Sequence, residues 1–410
     1  MDTHFTLQLD AMAHGGAALG RCEGQVIFVP YALPGETVRV EIVEDHQRYA
    51  HARLIEVLDP SPERVAAPCP YFGLEACGGC QWQHAAYAAQ LRFKTAVVRD
   101  QLSRIGRIAD PPVRPALPDA TGWAYRNQAR FHPAPGEGLG FRTTASHQVT
   151  PVESCLILHP LLSELYDLLD LDLPGLAALT LRAGVGTGER MMVLETEDDQ
   201  APTLEIDLPL SCVLLLSDGV HVNLIGSNHF TEVVGNHAYR ISAPSFFQSN
   251  TAQAAQLVRL ALEYLDPGEG DVVLDGYCGV GLFTLPLAER AGLVVAVEEH
   301  PAAVADLLEN SAGLENVEVV EGTMEAALPA IDHPLDLALV DPPRSGLERE
   351  VRDGLIAERP RRIVYVSCDP ATLARDGRWL VEGGYHLLEI QPVDMFPQTY
   401  HVETVSLWTR

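Results

Sequence analysis

A chain of 410 residues, 47% apolar and 20% charged, has the composition of an ordinary globular protein and the length of two or three domains; with no run of about 18 apolar residues, a membrane-spanning helix is excluded. A formal charge of −28 argues against general affinity for polyanions, and eight cysteines over such a length are too few for a disulfide scaffold. No basic-then-apolar leader opens the sequence, so the expected compartment is the cytoplasm, where clustered thiols more often bind metal or do chemistry.

Residues 5–9, 25–29, 36–42 and 52–57 alternate apolar and polar positions between glycine-bearing turns. Period-2 patterning marks half-buried strands. Four or five of them within sixty residues predict a small closed barrel of the OB type, a fold that often binds oligonucleotides. Pro60-Ser61-Pro62 ends it as a linker. Residues 69–84 hold three cysteines. Beyond them Leu91, Thr95, Val98, Leu102 and Ile105 recur at steps of four and three, which predicts a helix stopped at Gly106. Residues 92–142 carry eight Arg, Arg126 and Arg130 among them, and one Lys, Lys94, against four acids. Guanidinium groups suit bidentate phosphate contacts, so this stretch is a candidate polyanion-facing surface; ordinary solvated surface is the alternative. Residues 121–240 read as mixed and mostly β.

After residue 241 strands and helices alternate, with strands at 272–277, 293–298, 317–321, 335–340, 362–367, 386–392 and 403–408. The expected architecture is an OB-type barrel over 1–60, a mixed α+β central domain over 61–240, and an α/β domain over 241–410. The last is a Rossmann-like, mostly parallel, doubly wound seven-stranded sheet.

Ser367-Cys368-Asp369-Pro370 follows the apolar run 362–366. A cysteine at the carboxyl edge of a parallel sheet stands where such sheets bind ligands; a small buried hydrophobe is the plain alternative. Leu274-Asp275-Gly276-Tyr277-Cys278-Gly279-Val280-Gly281 leaves a strand and opens a helix. Tyr277, Gly279 and Gly281 are therefore candidates for close approach to a nucleoside cofactor. Glu298 ends the next strand, where an acid accepts hydrogen bonds from ribose hydroxyls. In Asp341-Pro342-Pro343-Arg344 two prolines remove two donors and stiffen the loop, holding Asp341 for a flat substrate. Cys69, Cys77 and Cys80 form C-x7-C-x2-C, with Cys155 isolated downstream; four thiolates bind zinc or an iron–sulfur cluster.

Together these segments resemble the RNA uracil-C5 methyltransferases that use S-adenosylmethionine, over nearly the whole chain. The first sixty residues resemble a TRAM domain, an RNA-binding module. Cys69-Pro70-Tyr71-Phe72-Gly73 and Cys77-Gly78-Gly79-Cys80-Gln81-Trp82-Gln83-His84 resemble the family's [4Fe-4S] segment, with Cys155 in the place of the fourth ligand. Ser245-Phe246-Phe247-Gln248-Ser249-Asn250 resembles the entry to the catalytic domain, whose glutamine, here Gln248, contacts the cofactor. Ser367-Cys368-Asp369-Pro370 resembles the nucleophile motif. The segment Asp394-Met395-Phe396-Pro397-Gln398-Thr399-Tyr400-His401-Val402-Glu403 resembles the motif bearing the general base.

The resemblance implies that Cys368 adds to a uracil ring, Glu403 removes a proton, and Asp341 orients the ring or sits between it and the cofactor. The implied partner is structured RNA, 23S ribosomal RNA foremost with transfer RNA as the alternative, acted on by a monomer with no membrane partner. The sequence departs from the family in three places: seven rather than five residues between the first two cysteines, Gly276 where a larger apolar residue is usual, and Leu282 where an Asn is common. Two other readings remain at this point. One is a methyltransferase for an amine or another base, using Asp341-Pro342-Pro343; the other is an RNA-binding protein with a degenerate catalytic domain.

Overall fold

The computed structural model describes residues 4–410 apart from 135, 137, 145, 170–174, 199, 203, 205 and 206. The expected barrel is present: β1 (His4–Met12), β2 (Ala18–Cys22), β3 (Gln25–Val29), β4 (Thr37–Asp45) and β5 (Tyr49–Asp59) close in the order β1-β2-β3-β5-β4. Its inward positions are the alternate apolar residues Leu7, Leu9, Ile27, Val29, Val38 and Val40. β2 carries too little alternation to be read from sequence. Its Gly20 is required by close approach, because a Cβ there would stand 2.1 Å from the Gln8 carbonyl oxygen. Trp82 and Ala85 extend the barrel core, and Arg64 binds the fully buried Glu36, with Nη2 2.8 Å from Oε2.

Helix α1 (Tyr87–Arg104) confirms the expected helix but turns a different face inward. Val98 and Leu102 are buried beside Lys94 and Gln90, while Ile105 is exposed. Lys94 therefore does not belong to a phosphate-facing surface. It is fully buried in an ion pair with Asp394, and its Nζ also donates to the Phe396 carbonyl at 3.0 Å; Tyr87 Oη donates to the other Asp394 oxygen at 2.7 Å. Burial pulls the Lys94 ammonium below its usual range, against the Asp394 charge. Exposed arginines of the basic stretch mostly meet acids too: Arg92 pairs with Glu63, Arg104 with Asp100, Arg114 with Glu389 and Arg130 with Glu195. Lys94, Arg92, Arg114 and Arg130 thus meet carboxylates from outside the stretch, which offset most of its local positive excess. Lys94→Met leaves Asp394 buried and unpaired, and is expected to cost about 3–5 kcal/mol in denaturant unfolding. Much of that loss should return when Asp394 is also made apolar.

The middle of the chain forms β6 (Gln128–Pro133), β7 (Leu139–Arg142), β8 (Val149–Pro151), α2 (Pro160–Asp167), β9 (Leu176–Ala183), β10 (Arg190–Thr196), β11 (Ser211–Leu215) and β12 (His221–Ile225). Its strands make one mixed sheet of order β12-β11-β10-β9-β6-β7-β8. A separate hairpin, β13 (His229–Val234) and β14 (His237–Ser242), follows it.

The C-terminal part comprises α3 (Thr251–Leu265), β15 (Val272–Gly276), α4 (Thr284–Ala288), β16 (Leu293–Glu298), α5 (Pro301–Asn310), β17 (Val317–Glu321), α6 (Met324–Ala327), β18 (Leu337–Val340), α7 (Arg349–Glu358), β19 (Arg362–Ser367), α8 (Pro370–Glu382), β20 (His386–Val393) and β21 (Glu403–Thr409). The seven strands lie in the order β17-β16-β15-β18-β19-β21-β20; the first five are parallel and β21 runs antiparallel to both neighbours. Strands buried on both faces read as continuous apolar runs. Val273, Val294, Leu339 and Val364 face the core under α3 and α4; Leu274, Val295, Val340 and Ile363 face the core under α7, α8 and α1. No helix among the described residues is long and apolar enough to cross a membrane.

Candidate active site

A cleft of about 700 Å³ opens beyond the carboxyl ends of the parallel strands. The sequence-predicted Gln248, Tyr277, Gly279, Glu298, Asp341, Cys368 and Glu403 all line it. Gly281 does not; at φ +96 it lies against the core instead, where a Cβ would come within 2.7 Å of Leu307 Cδ1.

The loop after β15 is tight. Tyr277 and Gly279 both take positive φ, at 62° and 57°. The Gly279 N–H donates to Glu298 Oε2 at 2.8 Å, and the His300 N–H donates to Oε1 at 2.8 Å, so the acid at the end of β16 is fixed by backbone. Gly276 lacks a side chain because Met324 fills that space: a Cβ would sit 3.0 Å from its sulfur. Leu282 is buried and its carbonyl accepts from Tyr239 Oη at 3.0 Å. Gln248 belongs to a turn anchored from two sides. Ser245 Oγ donates to Asp306 of α5 at 2.6 Å, and Asn127 Nδ2 donates to the Gln248 carbonyl at 3.1 Å.

Strand register sets the opposite wall. β19 pairs antiparallel with β21 through Val366↔Val405 and Ser367↔Thr404. Cys368 follows Ser367 directly and Glu403 precedes Thr404 directly, and both line the cleft. Asp341 follows β18, the strand on the other side of β19, and its N–H donates to the Gly276 carbonyl at 3.2 Å. Asp369 caps α8, accepting from the N–H groups of Ala371 and Thr372 at 2.9 Å each.

Acids crowd this wall. Burial pushes Asp275 up to about 7, against the hydrogen bond from Thr284 Oγ1, and its Oδ1 has no hydrogen-bond partner. Burial and the Asp275 charge push Asp341 up to about 7. Burial, then Asp341, push Glu403 up to about 8 against the pull of Arg344. The Cys368 thiol is pushed up to about 12 by burial and by Glu403 and Asp341. A group perturbed by burial and a charged neighbour in a cleft is suited to proton transfer, and a cation brought into this cleft would lower every one of these values.

The four predicted metal ligands also come together. Cys69, Cys77, Cys80 and Cys155 line one small apolar pocket with Tyr71, Phe72 and Ile157. Burial, reinforced by the neighbouring thiols, raises Cys77 to about 11 and Cys80 to about 12. All eight cysteines are free. Among the described residues no group of three or more His, Cys, Asp or Glu side chains is arranged to hold a metal ion.

Several lining residues went unread in the sequence. Phe246 is 73% exposed at the rim of the cleft, a costly place for an aromatic ring without a function. Thr323 and Glu325 line it just past β17, and Arg344 reaches it from the Pro-Pro loop. Exposure, not residue type, singles out Phe246. For Thr323 and Glu325 the available signal was the end of the third parallel strand.

A glycine loop after the first strand of the sheet, an acid after the second and an acid-rich cleft at the carboxyl edge define a nucleoside-cofactor α/β enzyme. Comparison narrows this class. Residues 232–410 match the family described as tRNA (Uracil-5-)-methyltransferase, and residues 7–55 match the TRAM domain. An RNA methyltransferase of Streptomyces avermitilis is 37% identical over 427 residues, covering 99% of this chain and 98% of that protein. One from Halalkalibacterium halodurans is 35% identical over 439 residues, covering 97% and 95%. The structure of the tRNA (uracil-54, C5)-methyltransferase of Pyrococcus abyssi, in complex with S-adenosyl-L-homocysteine, aligns with a TM-score of 0.77 at 28% identity, over 99% of this chain and 100% of that one. The chain belongs to the family of these RNA methyltransferases; its C-terminal part matches the tRNA (Uracil-5-)-methyltransferase family and its N-terminal part the TRAM domain.

Proposed function

We propose that this protein transfers a methyl group from S-adenosylmethionine to carbon 5 of a uridine in structured RNA, through a temporary bond between Cys368 and carbon 6. The observation that supports the reading is that Cys368, just past β19, Glu403, at the start of its partner strand β21, and Asp341, just past β18, line one cleft. Carbon 5 of uracil is a poor nucleophile. Addition of the Cys368 thiolate to carbon 6 makes an enolate whose carbon 5 takes the methyl group from the sulfonium. Glu403 then removes the carbon 5 proton, and the released electron pair re-forms the ring double bond and expels Cys368. Asp341 orients the ring. Gln248, Tyr277, Gly279 and Glu298 hold the cofactor, Glu298 on its ribose, and Phe246 stacks on the uracil once it is extruded from the RNA.

Residues 1–60 form the RNA-binding barrel, 61–240 a central domain and 241–410 the catalytic domain, in a monomeric cytoplasmic enzyme. Cys69, Cys77, Cys80 and Cys155 are the residues that would hold a [4Fe-4S] cluster. Four thiols on one apolar-walled pocket are the donor set that group requires, and its part here is to order the central domain. Anaerobically purified protein is expected to be brown with about four iron atoms per chain; one zinc and no sulfide overturns this assignment.

The barrel joined to a four-cysteine pocket supports ribosomal RNA of the 23S type as the substrate. The likeness to the Pyrococcus abyssi enzyme supports transfer RNA as the second reading. Mapping 5-methyluridine in both RNAs from a strain lacking the protein decides between them, and loss from neither refutes the function.

A further inference from the structure

We propose that the barrel completes the nucleophile site, with His14 as a positioning residue for Cys368. The inference rests on the reading of Cys368 given above. The β1–β2 turn is closed by the Ala13 N–H donating to the Ala17 carbonyl at 2.8 Å and the Gly16 N–H donating to the Ala13 carbonyl at 3.1 Å. Two residues outside the barrel seat it. Trp82 Nε1 donates to the Gly16 carbonyl at 2.9 Å. Tyr400 lies so close that a Cβ on Gly16, already at φ +88, would stand 2.7 Å from its ring. Tyr400 is three residues before Glu403.

From this seat His14 Nε2 reaches Asp369 Oδ2 at 3.4 Å. The other Asp369 oxygen takes the two N–H groups that begin α8, and the Asp369 N–H donates to Ser367 Oγ at 3.2 Å. Ser367, before Cys368, is thus tied to the backbone of Asp369, after it, while one Asp369 carboxylate oxygen caps α8 and the barrel reaches the other. Partial burial works against ionisation of Asp369, yet the His14 bond and the Thr372 and Ala371 N–H groups bring it down to about 2. A carboxylate therefore sits next to the thiol. The charged and titratable groups facing Cys368 are Glu403 from β21, Asp341 and Arg344 from the loop after β18, and Asp369 itself. His401, whose ring lies tilted against Tyr400 with centroids 4.2 Å apart, is pulled down to about 4 by burial and Arg344 and adds no positive charge near neutrality. The His14 contact counters the Asp369 charge beside the nucleophile. Seating of the barrel and alignment of the thiol become one event.

The test compares His14→Ala, His14→Gln and Gly16→Ala in the full chain. One readout is the pH dependence of Cys368 alkylation by iodoacetamide without RNA, followed by mass spectrometry. The other is the rate of covalent complex formation with 5-fluorouridine RNA at saturating RNA and S-adenosylmethionine. His14→Ala is expected to slow complex formation about tenfold, as small misplacements of reacting groups do, to raise the pH midpoint of alkylation, and to leave cofactor affinity unchanged. His14→Gln keeps a hydrogen bond without a charge, so most of the rate returns while the midpoint stays high. Gly16→Ala, which unseats the turn with His14 intact, reproduces His14→Ala. A wild-type alkylation profile and wild-type rate in His14→Ala overturn the proposal, even where RNA binding weakens. Were Cys368 not the nucleophile, Cys368→Ala would still methylate RNA, whereas the alkylation profiles would report on His14 regardless.

Discussion

Cys368→Ala is expected to abolish a covalent protein–RNA complex that the unaltered enzyme forms with 5-fluorouridine RNA and S-adenosylmethionine. Fluorine at carbon 5 cannot leave as a proton, so the adduct at carbon 6 persists once the methyl group has been transferred, and denaturing electrophoresis reveals it. Methyl transfer to ordinary RNA should fall below detection, because removing the nucleophile removes the covalent route altogether. The sequence offers a tempting competitor, Cys278, three residues after Asp275 and two after the end of β15. It is 4% exposed, packed against Ala296 and Leu307, and burial holds its thiol far above the ordinary range. An adduct that survives Cys368→Ala, or that maps to Cys278, defeats the assignment.

Glu403→Gln should give the opposite phenotype at the same step. An amide keeps the shape of the side chain but takes no proton, so methyl transfer occurs once and the protein stays attached to ordinary methylated RNA, without fluorine. Turnover is expected to fall by roughly 10²–10⁴-fold. A variant that turns over normally, or that fails only because it no longer binds cofactor, removes Glu403 from this role. The same substitution has a stability signature. The Glu403 carboxyl is raised from its ordinary 4.5 to about 8 in the fold, so folding favours its neutral form. That contribution is complete below the ordinary value and is lost as pH rises through about 8. Thermal unfolding of Glu403→Gln should therefore match the parent near pH 4 and exceed it increasingly toward pH 9. A constant difference across that range would mean that Glu403 is not held neutral by its surroundings.

Much of this was legible in the chain itself because the signals were local. The strands of the C-terminal sheet were readable to within one or two residues, since buried parallel strands are short apolar runs with turns at both ends. Cys368 was marked by following such a strand. Glu403 was not marked by its own surroundings; only the long motif before it distinguished it from a surface acid, and the structure supplies the reason, an antiparallel register with β19 that no local pattern encodes. The fate of Lys94 was also out of reach. It looked like one of several basic residues on an exposed helix, yet its partner, Asp394, lies 300 positions away. The packing demand on Gly281 was hidden for a similar reason: a Cβ there would meet Leu307 and Leu285, residues distant from the loop pattern or inside the next helix.

That register also divides the site into two kinds of wall. Cys368 and Glu403 flank the last rungs of a ladder between two central strands whose side chains are almost wholly buried, with Val366, Val405 and Thr404 at 0% exposure. Amides in such ladders exchange with solvent only when the whole fold opens. The facing wall is built from the turn at Ser245 to Gln248, and the loop from Pro342 to Gly346 hangs over the cleft beside it; both are held by local turns, the Ser245 N–H on the Ser242 carbonyl and the Gly346 N–H on the Pro343 carbonyl, and not by a strand ladder. Deuterium uptake should be slow at Ser367 and Thr404 whether or not ligands are bound, and should slow on binding at residues 246–248 and 344–346. The distance between nucleophile and base would then be a constant of the enzyme, and adjustment to each RNA would fall entirely to the side that carries Phe246.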